Sequence, residues 1–380
     1  MPPAPSTPPA VRLARRAALL LAAALLAGAA SAQPGTVEGT VRDAAGQPLP
    51  GVSVYLSGTT RGTAADASGR YQIEAVAPGS YRLVGSMVGY QAQVVPVRVA
   101  PGAAVRADFR LSPVVAALDE VQVEARADRQ WQARLKQFER TLLGESANAE
   151  QARILNPEVL EFSSSWGTLG AVARAPLVIE NRALGYRLSY DLHTLSASPV
   201  EVRYDGDEVF EEMTPASAAE AARWAEARRR AYRGSLPHLL QSLIAGTSEA
   251  EGFSFAAAAS APFRHQLAVP PRPVSAGRLV RVDADGWATL TVRGELEVTY
   301  GGEPEEPSYL QSVWFQGDHR RPDDRQRSTL RTNRRRVRLD PQGTPVDPFA
   351  ISTTSHMAFE RLADRVPSDY APPPSAPSDS

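Results

Sequence analysis

The feature that most constrains the fold is a series of short alternating apolar runs within residues 37–111, separated by turn residues. A period of two places such residues on one face of a β-strand. About seven strands at this spacing predict an antiparallel β-sandwich, with Tyr71 and Phe109 in its core. The runs include Val52-Val54-Leu56, Tyr71-Ile73, Val95-Val97-Val99 and Val105 to Leu111.

The residues between the runs indicate specific turns. Asp66 and Gly69 suit the first and last positions of a type I turn. Pro78-Gly79 suits the centre of a type II turn, where the second central residue needs a positive φ. These turns form the predicted corners of the sandwich.

This stretch resembles the carboxypeptidase-regulatory-like domain, a transthyretin- or immunoglobulin-like sandwich. The resemblance spans residues 36–112 and implies a module that is not itself catalytic. In that family the module accompanies many partners, including zinc carboxypeptidases and outer-membrane receptors. The matching pieces are Gly39, Val41, Gly46, Pro48-Leu49-Pro50-Gly51-Val52, Gly62-Thr63, Asp66, Gly69, Tyr71, Pro78-Gly79, Tyr81 and Gly89-Tyr90.

The remaining chain predicts one α+β domain over residues 128–366, with an antiparallel sheet and about three helices. Apolar residues at helical spacing place the helices at 129–143, from Thr214-Pro215 to near Arg230, and at 236–246. Residues 163–173 are interpreted as a flexible loop. The predicted strands include 177–179, 186–192, 200–210 (broken at Asp205-Gly206), and 279–282 with 287–292 around Asp285-Gly286.

Two further resemblances concern the compartment. Residues 154–162, 176–192, 231–243 and 359–373 resemble the back half of exported Bacteroidetes-type proteins that carry the same front module, and this resemblance implies no activity. Residues 118–125 resemble the segment after this module in TonB-dependent receptors. We interpret that segment as a connecting strand, because the chain that follows it is too short for a large receptor barrel.

The first 32 residues have the three-part pattern of a secretory signal peptide. Three arginines precede an apolar run at 17–27, and Ala30-Ser31-Ala32 forms a small-x-small cleavage site before Gln33. The run is short for a membrane span, although an uncleaved anchor is the alternative. The chain has no Cys, which excludes disulfides and a lipoprotein anchor. We therefore expect an exported protein that is periplasmic or associated with the outer membrane, or extracellular.

The sequence carries no recognisable catalytic constellation, so we expect no catalytic residue, cofactor or metal. None of the five His residues has Glu three positions on, and neither His-Glu-x-x-His nor Gly-x-Ser-x-Gly occurs. His356 and Glu360 stand four residues apart at the start of a helix. A helix-surface ion pair explains them better than a metal site, because no third ligand is visible.

The strongest charge feature is residues 319–340, which hold nine arginines and three aspartates. Nucleic acid is a poor partner for an exported protein. Arg334, Arg336 and Arg338 alternate with Arg335, Val337 and Leu339, as on one face of a β-hairpin. This face is either simply solvated or a contact for an anionic surface glycan or lipid phosphate.

These observations predict an exported, non-catalytic cell-envelope interaction protein whose sandwich is a binding or spacer module. Its partner would be an envelope protein or a surface glycan, at the periphery of the outer membrane. The alternatives are a hydrolase with an unrecognised site in 128–366, and carbohydrate binding by the sandwich. The expected organisation is a signal peptide (1–32), the sandwich (33–113), a linker (114–127), the α+β domain (128–366) and a disordered tail (367–380).

We expect the sandwich to fold alone and to make few contacts with the back half. The linker offers few large apolar side chains, and domain contacts within one chain are usually sparse.

Overall fold

A computed structural model describes residues 33–114, 129–198, 202–257, 271–284, 286–315 and 325–372. The predicted signal peptide, almost all of the predicted linker, Asp285 and residues 373–380 lie outside these ranges. Within them, no helix combines the length and the apolar character needed to cross a membrane.

The front half is a sandwich of two four-stranded sheets, which confirms the predicted fold class. One sheet has the order β4-β1-β7 with β8 also on β1, and the other has the order β3-β2-β5-β6. The expectation of antiparallel pairing throughout is wrong in the first sheet, because β7 and β8 both run parallel to β1. Tyr71 and Phe109 are buried between them, with ring centroids 5.9 Å apart. The strands are β1 Gly35–Asp43, β2 Ser53–Leu56, β3 Gly62–Ala64, β4 Arg70–Val76, β5 Gly79–Ser86, β6 Gln93–Val99, β7 Ala104–Arg106 and β8 Phe109–Leu111.

One predicted turn is confirmed and the other is wrong. The Gly69 amide donates to the Asp66 carbonyl oxygen (2.9 Å), and the Asp66 carboxylate accepts from the Ser68 amide (2.8 Å), as in a type I turn. Gly79, however, lies in β5 and does not have a positive φ. In this region the residue with a positive φ is instead Ala75 (φ 55°), which lies near the end of β4.

The back half has two hydrophobic cores. The first lies on one face of a six-stranded sheet, the middle sheet, with order β10-β11-β13-β12-β9 and β14 on the other side of β13. The second lies between a five-stranded sheet (β16-β15-β19-β20-β22) and a three-stranded sheet (β17-β18-β21). The strands are β9 Ala152–Ile154, β10 Leu160–Ser165, β11 Thr168–Ala173, β12 Leu177–Asn181, β13 Tyr186–Ala197, β14 Val202–Glu212, β15 Phe253–Ala257, β16 Arg272–Pro273, β17 Val280–Val282, β18 Ala288–Thr291, β19 Glu295–Tyr300, β20 Gln326–Thr332, β21 Arg336–Leu339 and β22 Ile351–Ser355.

The three predicted helices are confirmed and two more are present, but the second predicted helix begins at Ala218 and not at Thr214-Pro215. The five helices in the described ranges are α1 Arg129–Leu142, α2 Ala218–Tyr232, α3 Leu236–Ala245, α4 Pro307–Phe315 and α5 His356–Phe359. Ser217 and Ser235 cap α2 and α3, each accepting a backbone N–H in the first turn. Gly246 ends α3 in the left-handed conformation.

Two strand predictions in the back half are wrong. Asp205-Gly206 does not break a strand but lies inside β14, which pairs with β13 along its whole length. The register instead shifts between Leu192 and Thr194, so the irregularity is a bulge in β13. Residues 163–173 are not a loop but the hairpin of β10 and β11.

The sandwich is docked on the edge of the middle sheet, so the expectation of few contacts is wrong. The Gly58 amide donates to the Glu208 carbonyl oxygen (2.6 Å), and the Phe210 amide donates to the Thr59 carbonyl oxygen (2.9 Å). The turn between β2 and β3 thereby pairs with the outer edge of β14. Thr59 is only 1% exposed.

The beginning of the predicted disordered tail takes part in this junction. The Thr60 amide and hydroxyl donate to the Asp369 carboxylate (3.0 and 2.7 Å), and the Ser368 amide donates to the Gly58 carbonyl oxygen (2.8 Å). The Tyr370 ring lies 5.9 Å from the Tyr232 ring of α2. Residues 367–370 are therefore part of the folded protein.

Candidate functional site

The predicted arginines lie on and beside β21. Arg336 and Arg338 are exposed on its solvent face, opposite Thr291 and Thr289 of β18, whereas Val337 and Leu339 are buried. Arg334 lies in the turn that precedes the strand. The structure therefore separates the three predicted residues into a strand face and a turn.

Arg338 already has partners within the protein. Its Nη2 lies 2.6 Å from Asp283 Oδ2, and its guanidinium lies 5.0 Å from the centre of the Trp287 ring. Arg98 of the sandwich approaches the same ring at 5.7 Å. Arg338 thus contributes to packing between β21, β18 and the sandwich more than to a free anion contact.

The turn arginines come together in a cleft. Residues 292–294 connect β18 to β19, and residues 333–335 connect β20 to β21, so both connections pass from one sheet of the second core to the other. Since β18 pairs with β21 and β19 with β20, the two connections lie side by side. They enclose an open cleft of about 490 Å³, the arginine cleft, lined by Val292, Arg293, Gly294, Thr332, Asn333, Arg334 and Arg335.

The arginine cleft has a strong excess of positive charge. Arg293, Arg334 and Arg335 are exposed, and they make no ion pair or side-chain hydrogen bond with any described residue. The nearby carboxylates are engaged: Glu295 pairs with Arg331, and Asp347 accepts from the Asn333 amide group (3.2 Å). Among the residues that the structure describes, no carboxylate lines the cleft itself.

Sequence reasoning missed Arg293 and gave Arg335 no role. It treated the arginine run as one strand face, whereas the cleft is built from the ends of two pairs of strands. The available signal was Gly294 between two apolar runs, because a glycine in such a position often marks a turn. The pairing of that turn with residues 333–335 is a long-range feature that the local pattern does not contain.

A second cluster of charges lies at the junction of the sandwich and the middle sheet. Asp207 has a fully buried side chain, and its Oδ2 accepts from Arg82 Nη2 (2.9 Å) and lies 3.2 Å from His193 Nε2. His193 Nδ1 lies 3.3 Å from Asp205 Oδ2. Hydrogen bonds to Asp205 and Asp207 raise the pKa of His193 to about 10, so the imidazole stays cationic at neutral pH. The cluster joins the sandwich to the middle sheet, and each of its two carboxylates, Asp205 and Asp207, has a cationic partner.

The hydrolase alternative has one geometric feature in its favour. Ser355 lies at a strand-to-helix turn with φ 65° and ψ −138°, the strained type of position that a nucleophile elbow uses. The flanking sequence Thr353-Thr354-Ser355-His356-Met357 lacks the glycines of that motif. In the described part of the chain, no His or carboxylate hydrogen-bonds to the Ser355 hydroxyl, so the feature does not amount to a catalytic pair.

His356 and Glu360 are not on a helix surface as predicted. Both side chains are largely buried, and His356 Nδ1 lies 3.8 Å from Glu360 Oε1. Burial, together with Asp364 and Glu306, raises the pKa of Glu360 well above its usual range. Among the residues that the structure describes, no group of three His or acidic side chains is arranged to hold a metal ion.

Comparison with known proteins identifies the front module. The sequence profile of the carboxypeptidase regulatory-like domain matches residues 36–112, which confirms the resemblance for the sandwich. The Bacteroidetes-type assignment stays a prediction. No curated protein matches the chain.

Solved structures give partial likenesses. They include an interface mutant of a type II cohesin–X-dockerin complex from Acetivibrio cellulolyticus (20% identity, 21% of this chain and 58% of that one, TM-score 0.19). A minor pilin of Streptococcus agalactiae (20% identity, 22% and 45%, 0.19) and a candidate carbohydrate-binding protein from Bacteroides uniformis (11% identity, 42% and 58%, 0.18) are similar in the same way. The chain spans about half the length of these structures, and at such TM-scores the likenesses carry no functional argument.

Proposed function

We propose that this chain is an exported, non-catalytic interaction protein of the cell envelope that contacts an anionic envelope component through the arginine cleft. The observation that supports this most directly is the cleft itself, which three exposed arginines line and to which no described carboxylate contributes. Guanidinium groups recognise carboxylate and phosphate in a bidentate manner, and an unpaired cluster of them attracts anions over a distance.

The sandwich acts as a docked spacer in this proposal. The turn between β2 and β3 pairs with β14. Arg98 of the sandwich and Arg338 of β21 contact the same Trp287 ring, so the sandwich supports the sheet that contains β21. The alternative, carbohydrate binding by the sandwich, has little support. Tyr71 is buried, and the Tyr81 hydroxyl donates to the Ala77 carbonyl oxygen (2.7 Å), which leaves few exposed aromatic platforms.

Binding to a polyanion tests the proposed function. The chain from Gln33 onward should bind immobilised dextran sulfate and not neutral dextran, and the binding should weaken as salt rises, because exposed charges are screened. Equal retention on both supports would contradict an electrostatic contact.

A turnover screen tests the non-catalytic part. The same protein, incubated with ester, peptide and glycoside substrates, should show no turnover above the buffer rate. Turnover that is lost on Ser355→Ala would favour the hydrolase alternative instead, because Ser355 is the strained residue that such a site would use.

Export is tested by the mature N-terminus. Mass spectrometry of protein from the periplasm or the medium should give a chain that begins at Gln33. Retention of residues 17–27 in that material would indicate an anchor.

A further inference from the structure

The arginine cleft is specific enough in charge and size to indicate a class of ligand. It is open to solvent, and its volume of about 490 Å³ falls within the range of small-molecule sites. A single oxyanion would fill only part of it. The cleft therefore has room for an anionic group together with the small polar body that carries it.

The number of arginines favours a dianion over a monoanion. One guanidinium can satisfy a carboxylate through two parallel hydrogen bonds. The cleft supplies three guanidinium groups from two chain segments, and neither segment brings a carboxylate to balance them. A phosphate monoester carries about −1.5 to −2 charge at pH 7 and three acceptor oxygens, which matches such a cluster better than one carboxylate does.

The polar residues of the cleft complement the rest of such a ligand. Thr332 and Asn333 line the cleft beside the arginines, and the Asn333 side chain is held by Asp347 at 3.2 Å. Val292 is buried and forms its apolar part. Hydroxyl, amide and a small apolar contact are suited to a polyhydroxylated ring of about the size of one sugar.

We propose that the arginine cleft binds a phosphate monoester carried on a sugar-sized group, a specification that rests on the proposed anion-binding function. The shared chemistry of a phosphorylated surface polysaccharide and a phosphate-bearing lipid headgroup fits this site. The arginines of the β21 face, Arg336 and Arg338, lie outside the cleft lining and are not part of the recognition.

Calorimetric titration of the chain from Gln33 onward with glucose-1-phosphate, glucuronate and glucose tests the ligand class. We expect glucose-1-phosphate to bind at least tenfold more tightly than glucuronate, and glucose not to bind. Equal affinity for glucuronate and glucose-1-phosphate would overturn the phosphate assignment while leaving the anion-binding function intact. Absence of binding to either anion and to dextran sulfate would overturn both.

The pH dependence gives a second readout. The second pKa of a phosphate monoester is about 6, so its affinity should fall between pH 7 and pH 5 as it becomes a monoanion. The described residues that line the cleft include no His, Asp or Glu, and the carboxylates nearby, Glu295 and Asp347, already have partners. Affinity that stays constant over this interval would argue against a phosphate dianion as the bound species.

Charge-neutral variants locate the site. Arg293→Gln, Arg334→Gln and Arg335→Gln should each weaken glucose-1-phosphate binding at least tenfold. Arg336→Gln, on the neighbouring strand face, and Arg223→Gln, an exposed arginine of α2 (71% exposed side chain), are the matched controls and should bind normally. All five arginines are largely exposed, so unchanged thermal unfolding confirms that the fold is intact. A loss with Arg336→Gln equal to that of the cleft variants would assign binding to the whole face and overturn the cleft.

Two probes then distinguish a polysaccharide from a lipid as the source of the phosphate. Phosphorylated dextran presents the group on a polymer, and vesicles of phosphatidylcholine with phosphatidic acid present it on a lipid. Binding to either probe that is lost in Arg334→Gln supports the proposal and identifies the source. Binding to neither would overturn it.

Discussion

At the residue scale, two glycines of the front-module motif are required for different physical reasons. A Cβ on Gly39 would lie 1.7 Å from the Ala107 carbonyl oxygen. Any larger residue would therefore force β1 away from the segment that contains Ala107. Gly46 has open space around it but adopts φ +83°, which an L-residue rarely takes. One glycine is constrained by contact and the other by its own dihedral angle.

Gly39→Ala should therefore destabilise the sandwich more than Gly46→Ala. The contact at Gly39 is with backbone, so relief needs a shift of a strand, at a cost of about 1–3 kcal/mol or more. The positive φ at Gly46 should cost about 1 kcal/mol, because the turn can adjust into solvent. Urea unfolding of both variants measures the difference. Equal destabilisation would mean that β1 moves more easily than its contacts indicate.

Trp166 has a backbone conformation that disfavours a bulky side chain. It lies at the tip of the β10–β11 hairpin with φ +50° and a fully exposed side chain, and Gly167 follows with φ +78°. Two positive φ angles in a two-residue turn favour Asn-Gly, and a bulky residue in this region is strained. The packing of the protein does not explain the tryptophan.

Trp166→Asn should raise the free energy of unfolding by about 1 kcal/mol, because asparagine tolerates this conformation and no packing is lost. Gly167→Ala, in the same turn, should lower it. Urea midpoints of the two variants check the signs. A destabilised Trp166→Asn would show that the indole contributes to folding despite its exposure.

At the element scale, α3 is fixed by a buried histidine. His238 Nδ1 accepts from the Gly234 amide (3.0 Å), and Nε2 lies 2.7 Å from Glu251 Oε2. The ring packs against Tyr232, Phe253 and Tyr300, at centroid distances of 4.8, 4.9 and 5.5 Å. Burial lowers the pKa of His238 below its ordinary value.

This shift predicts a loss of stability in acid. The unfolded chain binds a proton at His238 near pH 6.5, before the folded protein does, so stability falls as pH drops below that value. The slope from one such group reaches about 1.4 kcal/mol per pH unit at most. Asp340 and Asp364, whose pKa values burial raises to about 6, act in the opposite direction over the same interval.

His238→Gln isolates the contribution of the histidine. The variant should be less stable at pH 7, because it loses part of the aromatic packing, and it should lose less additional stability between pH 7 and pH 5 than the natural protein. Urea unfolding at several pH values measures both effects. Parallel curves for the two proteins would show that His238 does not titrate in this range.

The elements that the sequence predicted well are those with local signals. α1 and α3 follow from apolar spacing and from Gly144 and Gly246 at their ends, and the Asp66 turn follows from its side-chain chemistry. The hairpin at 163–173 was missed because its strands are rich in Ser, Gly and Ala, which give no clear alternation. The run at 200–210 was misread because Asp-Gly usually marks a turn, whereas pairing with β13 keeps it extended.

The arginine cleft, likewise, could be predicted from the sequence only in part. The sequence located the positive charge correctly in the segment around Arg334. It could not show that Arg338 would be held by Asp283 and Trp287, or that Arg293 would line the same cleft as Arg334. Those facts depend on which strands pair, and strand pairing is a long-range property.

At the scale of the whole molecule, the sandwich and the middle sheet are joined through a buried charge. Asp207 is fully buried, and the Arg82 side chain that pairs with it is 37% exposed. Removal of one partner leaves the buried carboxylate with His193 alone. Such losses cost about 3–5 kcal/mol for fully buried pairs and less where solvent reaches the partner.

Arg82→Ala should lower the free energy of unfolding by roughly 2–3 kcal/mol and loosen the junction. Hydrogen exchange should accelerate at residues 57–60 and 368–370, which contact each other across it. Arg106→Ala is the matched control, since its pair with Asp108 is exposed on both sides (68% and 49%). Unchanged exchange at 57–60 would show that the backbone pairing with β14 holds the sandwich without the charge.

The docked turn also decides how a shortened chain would behave. β14 is an outer strand of 11 residues, and the turn at Gly58 and Thr59 occupies part of its free edge. Without residues 33–113, that edge would present unpaired amide and carbonyl groups next to the Asp207 carboxylate, which would keep only His193 as a partner. Open strand edges recruit other strands, so the isolated back half is expected to self-associate and to precipitate. We therefore expect the sandwich to protect the protein against aggregation as well, which light scattering of the isolated back half would check.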